Sequence, residues 1–185
     1  MQNNSQPGPG TTGWFQGNSL TFPSQSGAPN SYIAANFQSG TGVSTLSNWL
    51  LTPPVNLQNG AQLTFWTRTT TGTFPDRLQV RMSTNGTSTN VGGTALSVGD
   101  FTTLLLDINP TYTLTDYPTA WTQFVVTLSG LGSPAKGRLA FRYFVENGGP
   151  SGTNSTYIGI GPGLVPRQHG RVHVSVGRSG LLHCR

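Results

Sequence analysis

Acyl-transfer or hydrolytic chemistry usually needs a nucleophile beside a base, and the first 160 residues contain neither histidine nor cysteine. Ser-His and Cys-His arrangements are therefore excluded from that stretch. Its carboxylates, Asp76, Asp100, Asp107, Asp116 and Glu146, fall in turns or at strand ends. A glycosidase-type pair would require two of them to converge; solvated turn carboxylates are far commoner, no motif supports an enzyme, and none is expected. Metal-type ligands gather only at the C-terminus, as His169, His173, His183 and Cys184. On a strand His169 and His173 face one side but lie about 13 Å apart at ~3.3 Å per residue, too far for one zinc. Trp14, Phe15, Tyr112, Tyr117 and Trp121 lie in or beside loops, where exposed ring faces hold sugars. Packing is the commoner fate of each; Tyr112 and Tyr117, flanking Thr113–Asp116, are the pair best placed for a ligand. Trp49, Phe65, Trp66, Leu78, Val80 and Phe141 are assigned to the core.

The elements that must position these residues are strands. Charged residues make up only 8% of the chain, against 25 Gly and 13 Pro, a composition that disfavours helix, while 10% aromatics supply apolar area to bury. Tyr32–Ala35 and Trp49–Thr52 are short apolar runs, the second closed by Pro53-Pro54, which cannot donate to a ladder. Asn59-Gly60 launches Gln62–Arg68, where Leu63 and Phe65 alternate with polar neighbours and Trp66 breaks the pattern. In Arg77–Met82, Leu78, Val80 and Met82 share one face and Arg77, Gln79 and Arg81 the other. Thr102–Ile108, Trp121–Leu128, Arg138–Val145 and Tyr157–Ile160 complete about eight strands. With no convincing helix between them, the chain is expected to be all-β, an antiparallel β-sandwich of jelly-roll type.

The net charge of +5 suggests nucleic acid until it is divided by position. Residues 1–160 carry six basic groups (Arg68, Arg77, Arg81, Lys136, Arg138, Arg142) against five acidic ones, a net +1; residues 161–185 carry four arginines and no acid, a net +4. A nearly neutral body has no clustered Lys/Arg to hold nucleic acid. No apolar run approaches the ~20 residues of a membrane helix, and the N-terminus shows no export signal. The expected organisation is a Gly/Pro/Asn-rich opening segment (1–30), a jelly-roll body (31–160) and a basic, irregular tail (161–185). Within the tail, Arg171–Val176 alternates and could pair as a strand.

The strand and turn series resembles the choice-of-anchor J domains, relatives of the cleaved adhesin modules of bacterial surface proteases, whose jelly roll is comparable to that of MAM domains. The resemblance covers about residues 3–160. It rests on Thr12-Gly13-Trp14-Phe15-Gln16-Gly17-Asn18, Ser47-Asn48-Trp49-Leu50-Leu51-Thr52-Pro53, Leu63-Thr64-Phe65-Trp66-Thr67-Arg68, Pro75-Asp76-Arg77-Leu78-Gln79-Val80-Arg81, Trp121-Thr122-Gln123, and Phe141-Arg142-Tyr143 leading to Tyr157-Ile158-Gly159-Ile160. It implies an extracellular or cell-surface bacterial protein with a non-catalytic role in adhesion or binding, its ligand a glycan or a protein. The alternative is a carbohydrate-binding accessory domain of a secreted hydrolase. The resemblance also implies a structural calcium ion, for which Asp76 and Glu146 are the candidate ligands; Asp76 capping its own turn is the alternative. Family members begin with a further strand and continue the Ile-Gly-Ile strand into an aspartate, where this chain has Gly161. A truncated copy with a shifted reading frame after about Ile160 accounts for both departures, and a native tail is the alternative.

Overall fold

Alternating apolar and polar residues, cut by Gly, Pro and Asn, fold here as strands joined by turns. The computed structural model describes residues 1–167, 170–176 and 182–184, with side chains as far as Gly161. Thirteen strands are described: β1 (Gln2–Asn3), β2 (Phe15–Gln16), β3 (Ile33–Asn36), β4 (Ser44–Leu51), β5 (Val55–Leu57), β6 (Gln62–Thr69), β7 (Leu78–Ser83), β8 (Thr103–Ile108), β9 (Thr122–Thr127), β10 (Ala135–Gly148), β11 (Tyr157–Arg167), β12 (Gly170–Val176) and β13 (Leu182–Cys184). The described residues contain no α-helix, only a 3-10 turn at Phe37–Ser39. β4 stops before Pro53-Pro54, as proline's missing N–H requires. Asn59-Gly60 turns the chain into β6, with Gly60 at φ +83° and the Ala61 N–H donating to the Gln58 carbonyl (3.2 Å).

Two antiparallel sheets result. The first runs β1-β4-β10-β7-β8, with β5 pairing the start of β10. The second runs β2-β3-β11-β6-β9; β12 pairs the later part of β11, beyond β3, and β13 pairs β12. Between the sheets lies the main core, built from Leu46 and Leu50 of β4, Leu78, Val80 and Met82 of β7, Leu139, Phe141 and Tyr143 of β10, and Leu63, Phe65, Ile158 and Ile160 opposite them. Each such side chain contributes about 1.5–3 kcal/mol when fully buried.

The alternation read in β7 is present, but its polar face is not solvated. Residues 84–101 cross the outer side of the first sheet and bury Trp49 there with Val91, Phe101 and Ala140. Trp49 is therefore core, though of this outer cluster and not of the space between the sheets. Trp66 is a correction: its neighbours Phe65 and Thr67 point inward and are buried, whereas Trp66 is half-buried on the outer side of the second sheet. Trp14, whose Nε1 donates to the Asn48 carbonyl (3.1 Å), joins the main core from the opening segment.

The irregular tail expected from Gly161 is also corrected. β11 passes through Gly161 to Arg167, and β12, which contains the alternating Arg171–Val176, folds back on it in register from Gly163↔Val174 to Arg167↔Gly170. Composition changes at Gly161; backbone pairing does not. His169 lies outside the described residues, as do the side chains of His173, His183 and Cys184.

Candidate functional site

Asp76 sits just before β7 and is 1% exposed. Its Oδ1 accepts from the Tyr143 hydroxyl (2.5 Å) and the Thr156 N–H (2.8 Å), and its Oδ2 from the hydroxyls of Thr156 (2.5 Å) and Thr69. Burial pushes the carboxyl upward and these donors pull it partly back. Asp76 thus ties β6, β10 and the start of β11 together. Glu146 is exposed on the far side of a different network. It faces Arg77 at 3.4 Å, Arg77 binds Asp107 through Nε (2.9 Å) and Nη2 (2.7 Å), and the Tyr112 hydroxyl accepts from the Glu146 N–H (2.9 Å).

Calcium takes six to eight oxygens with lone pairs to spare. Asp76 has two donors on each oxygen, which leaves it no lone pair for the ion, and Glu146 belongs to the separate network of Arg77, which faces its Oε2. No group of three His, Cys, Asp or Glu side chains comes together among the described residues. Tyr112 is half-buried against the core, and Tyr117, 2% exposed with its hydroxyl 2.7 Å from Thr67 Oγ1, presents no face to a ligand.

The outer side of the first sheet carries a stack of rings and guanidinium groups. Arg142 lies 4.8 Å from the Trp49 ring centroid and 4.0 Å from that of Phe144; Arg77 follows at 5.0 Å from Phe144 and 5.7 Å from Tyr112. Arg142 is 2% exposed and has no carboxylate partner among the described residues; it donates to Ser47 Oγ (3.1 Å), Gln79 Oε1 (3.2 Å) and the carbonyls of Ala95 and Ser97. Burial, reinforced by Arg81 and Arg77, pushes it down to about 9. The bonds from Arg142 to Ala95 and Ser97 fasten residues 84–101 to the sheet.

The outer side of the second sheet is different. Ile158 and Ile160 face inward, so Gly159 and Gly161 present bare backbone outward, and rings fill the space. A Cβ on Gly159 would meet Phe22, Tyr32 and Trp121, each at 2.9 Å, and one on Gly161 would meet Trp121 and the Trp66 Cβ, each at 3.3 Å. Register sets Trp66 opposite Gly161 on β11 and Gln123 on β9, and Arg68 opposite Gly159. Trp66, Trp121 and Arg68 are half-buried and Gln123 is exposed. The Trp121 Nε1 donates to the Pro23 carbonyl (2.8 Å), and the Arg68 guanidinium lies 4.4 Å from the Phe22 centroid. Burial lowers the Arg68 pKa, offset in part by the Tyr32 hydroxyl. Two partly open indoles beside an amide and a cation form a surface for stacking on a ring that bears polar substituents. Trp121 is among the loop aromatics that the sequence offers for a sugar, whereas Trp66 is expected in the core, yet a signal for it was there. Trp66 breaks the alternation of β6 because it occupies an outward position.

No protein-family profile matches the chain, and no curated protein matches it. Solved structures do. The K1 cleaved adhesin domain of Lys-gingipain from Porphyromonas gingivalis W83 is 25% identical, with a TM-score of 0.53 over 84% of this chain and 82% of that one. The K2 cleaved adhesin domain of Lys-gingipain is 17% identical, with a TM-score of 0.51 over the same shares. A structure of carbohydrate-binding modules from the β-sandwich superfamily is 13% identical, with a TM-score of 0.50 over 86% of this chain and 54% of that one, so this chain spans about half its length. The chain has the β-sandwich fold of these domains.

Proposed function

We propose that the chain is a non-catalytic, extracellular or cell-surface binding module of the adhesin type, and that its ligand is a glycan stacked on Trp66 and Trp121. The observation that carries this reading is that Trp66 and Trp121 are both half-buried on the outer side of the second sheet, where the Trp66 Cβ and the Trp121 ring each approach Gly161 of β11. Indole faces bury the C–H face of a sugar, and neighbouring amide and guanidinium groups bond its hydroxyls. The likeness to the K1 cleaved adhesin domain supports adhesion, and the lack of histidine and cysteine from the first 160 residues agrees with a module without hydrolytic machinery.

A glycan array probed with the wild-type chain and with Trp66→Ala and Trp121→Ala tests it. Stacking on one ring contributes about 1–3 kcal/mol in comparable aromatic recognition, so the expected result is a loss of about tenfold in affinity for each variant. An array without hits, or variants that bind as the wild type does, would overturn the reading.

A further inference from the structure

The arginines of the body are not alike in what they hold. Arg77 is committed to Asp107, Arg81 to Gln79 Oε1 (2.9 Å) and the Phe101 carbonyl (3.3 Å), Arg138 to the carbonyls of Thr87 (3.2 Å) and Thr52 (2.5 Å), and Arg142 to four acceptors. Arg68 has a single long bond, from Nε to the Thr69 carbonyl at 3.4 Å. Among the described residues its Nη1 and Nη2 have no acceptor, and no carboxylate forms an ion pair with it.

Flexibility does not explain the free fork, because the guanidinium is laid over the Phe22 ring 4.4 Å away, and Phe22 is itself wedged among Tyr32, Trp121 and Tyr157. The cation is partly desolvated, positioned and left without a counter-charge on the same face as the indoles. Trp66 and Arg68 point outward two residues apart on β6, a separation of about 7 Å along the strand. A sugar ring stacked on Trp66 therefore brings a substituent within reach of Arg68.

From this juxtaposition of Trp66 and the uncommitted Arg68 fork we propose that the glycan is acidic, a uronic-acid polymer whose ring lies on the indole and whose carboxylate takes the two Nη groups. The planar guanidinium matches a carboxylate through two parallel bonds; residues 1–160, at net +1, add little diffuse basic field, and the general attraction of the four arginines in residues 161–185 for polyanions is what dextran sulfate reports. The inference rests on the glycan reading above and narrows it.

Affinity electrophoresis of the full chain in gels containing polygalacturonate, dextran sulfate or neutral dextran tests it, with Arg68→Gln, Arg68→Lys, Trp66→Ala and, as a control for charge, the exposed Lys136→Gln. Polygalacturonate is expected to retard the wild type and Lys136→Gln alike. Arg68→Gln should weaken that binding by about tenfold, as loss of a charge-assisted pair does, and Arg68→Lys should restore only part of it. Near-ultraviolet circular dichroism of each variant establishes that it is folded. If Trp66→Ala weakens binding while Arg68→Gln binds polygalacturonate as the wild type does, the acidic ligand is overturned and the glycan reading survives. Equal retardation by neutral dextran, or retardation by dextran sulfate alone, overturns the uronate in the same way. Absence of retardation in these gels together with an empty glycan array overturns both.

Discussion

Arg142 shows how much a single side chain organises here. Without it the carbonyls of Ala95 and Ser97 would lose a donor, at about 1–3 kcal/mol for a buried group left unsatisfied, while the Ser47 hydroxyl keeps Trp49 Nε1 and the Gln79 oxygen keeps Arg81 Nε. Arg142→Met is expected to cost about 1–3 kcal/mol in urea unfolding, and Arg142→Lys to recover little, because an ammonium cannot reach four acceptors while stacked between Trp49 and Phe144. A loss below 1 kcal/mol would refute this account. Asp76 makes the complementary case. Its folded-state pKa is raised by burial, so its contribution to stability is fully present below the unfolded carboxylate value and is lost as pH rises through the higher folded one. The wild type should therefore exceed Asp76→Asn most at low pH, and the gap in unfolding free energy should narrow toward neutrality; a gap that widens with pH would reverse the sign. Neither network was legible in the sequence. Asp76 reads as a turn carboxylate because its partners Tyr143 and Thr156 are 67 and 80 residues away, and nothing local announces them.

Strands were easier to read than their surroundings. The alternation of β7, the Pro53-Pro54 stop and the Asn59-Gly60 turn are local instructions, and each is obeyed. What local pattern could not show is which faces a distant segment covers: residues 84–101 look like an ordinary polar connection, yet they convert the outward side of β4, β7 and β10 into a second small core around Trp49. The same limit hid the indole face, since the outward placement of Trp66 is visible in β6 but its place beside Gly161, which the Trp121 ring also approaches, is not. β9 carries a further consequence. It pairs only with β6 among the described residues, and Thr122–Thr127 contains no charge and no proline to blunt its free edge. Val125 is 54% exposed there. Val125→Lys should slow aggregation at elevated temperature, followed by light scattering, while leaving the thermal midpoint within about 2 °C, since surface substitutions stay near ±0.5 kcal/mol. Unchanged aggregation would exclude β9 as the associating edge.

For the whole molecule, stability resides in the core between the sheets, in a smaller apolar cluster on the outer side of each sheet and in buried hydrogen bonds, with ions in a minor part. The described ion pairs are both made by Arg77, to Asp107 and Glu146, and exposed or partly exposed pairs contribute about 0–1 kcal/mol each. Sheet pairing carries the backbone across the compositional break at Gly161, so charge density is a poor guide to where this fold ends. The five carboxylates are dispersed. Asp76 is sealed by three hydroxyls and an amide, Asp100 accepts from Asn85 and Ser88, and Asp107 and Glu146 face Arg77. Calcium would have to displace two donors from each oxygen of Asp76 before that carboxylate became a ligand. A structural ion at a hundredfold excess over its dissociation constant would add about 2.7 kcal/mol, which for a chain of this size raises the thermal midpoint by about 5 °C or more. The donor sets around Asp76 and Glu146 lead us to expect instead that melting curves in millimolar calcium and in excess chelator superimpose. A calcium-dependent rise of about 5 °C, abolished in Asp76→Asn, would show that the hydroxyl cage opens to a metal after all.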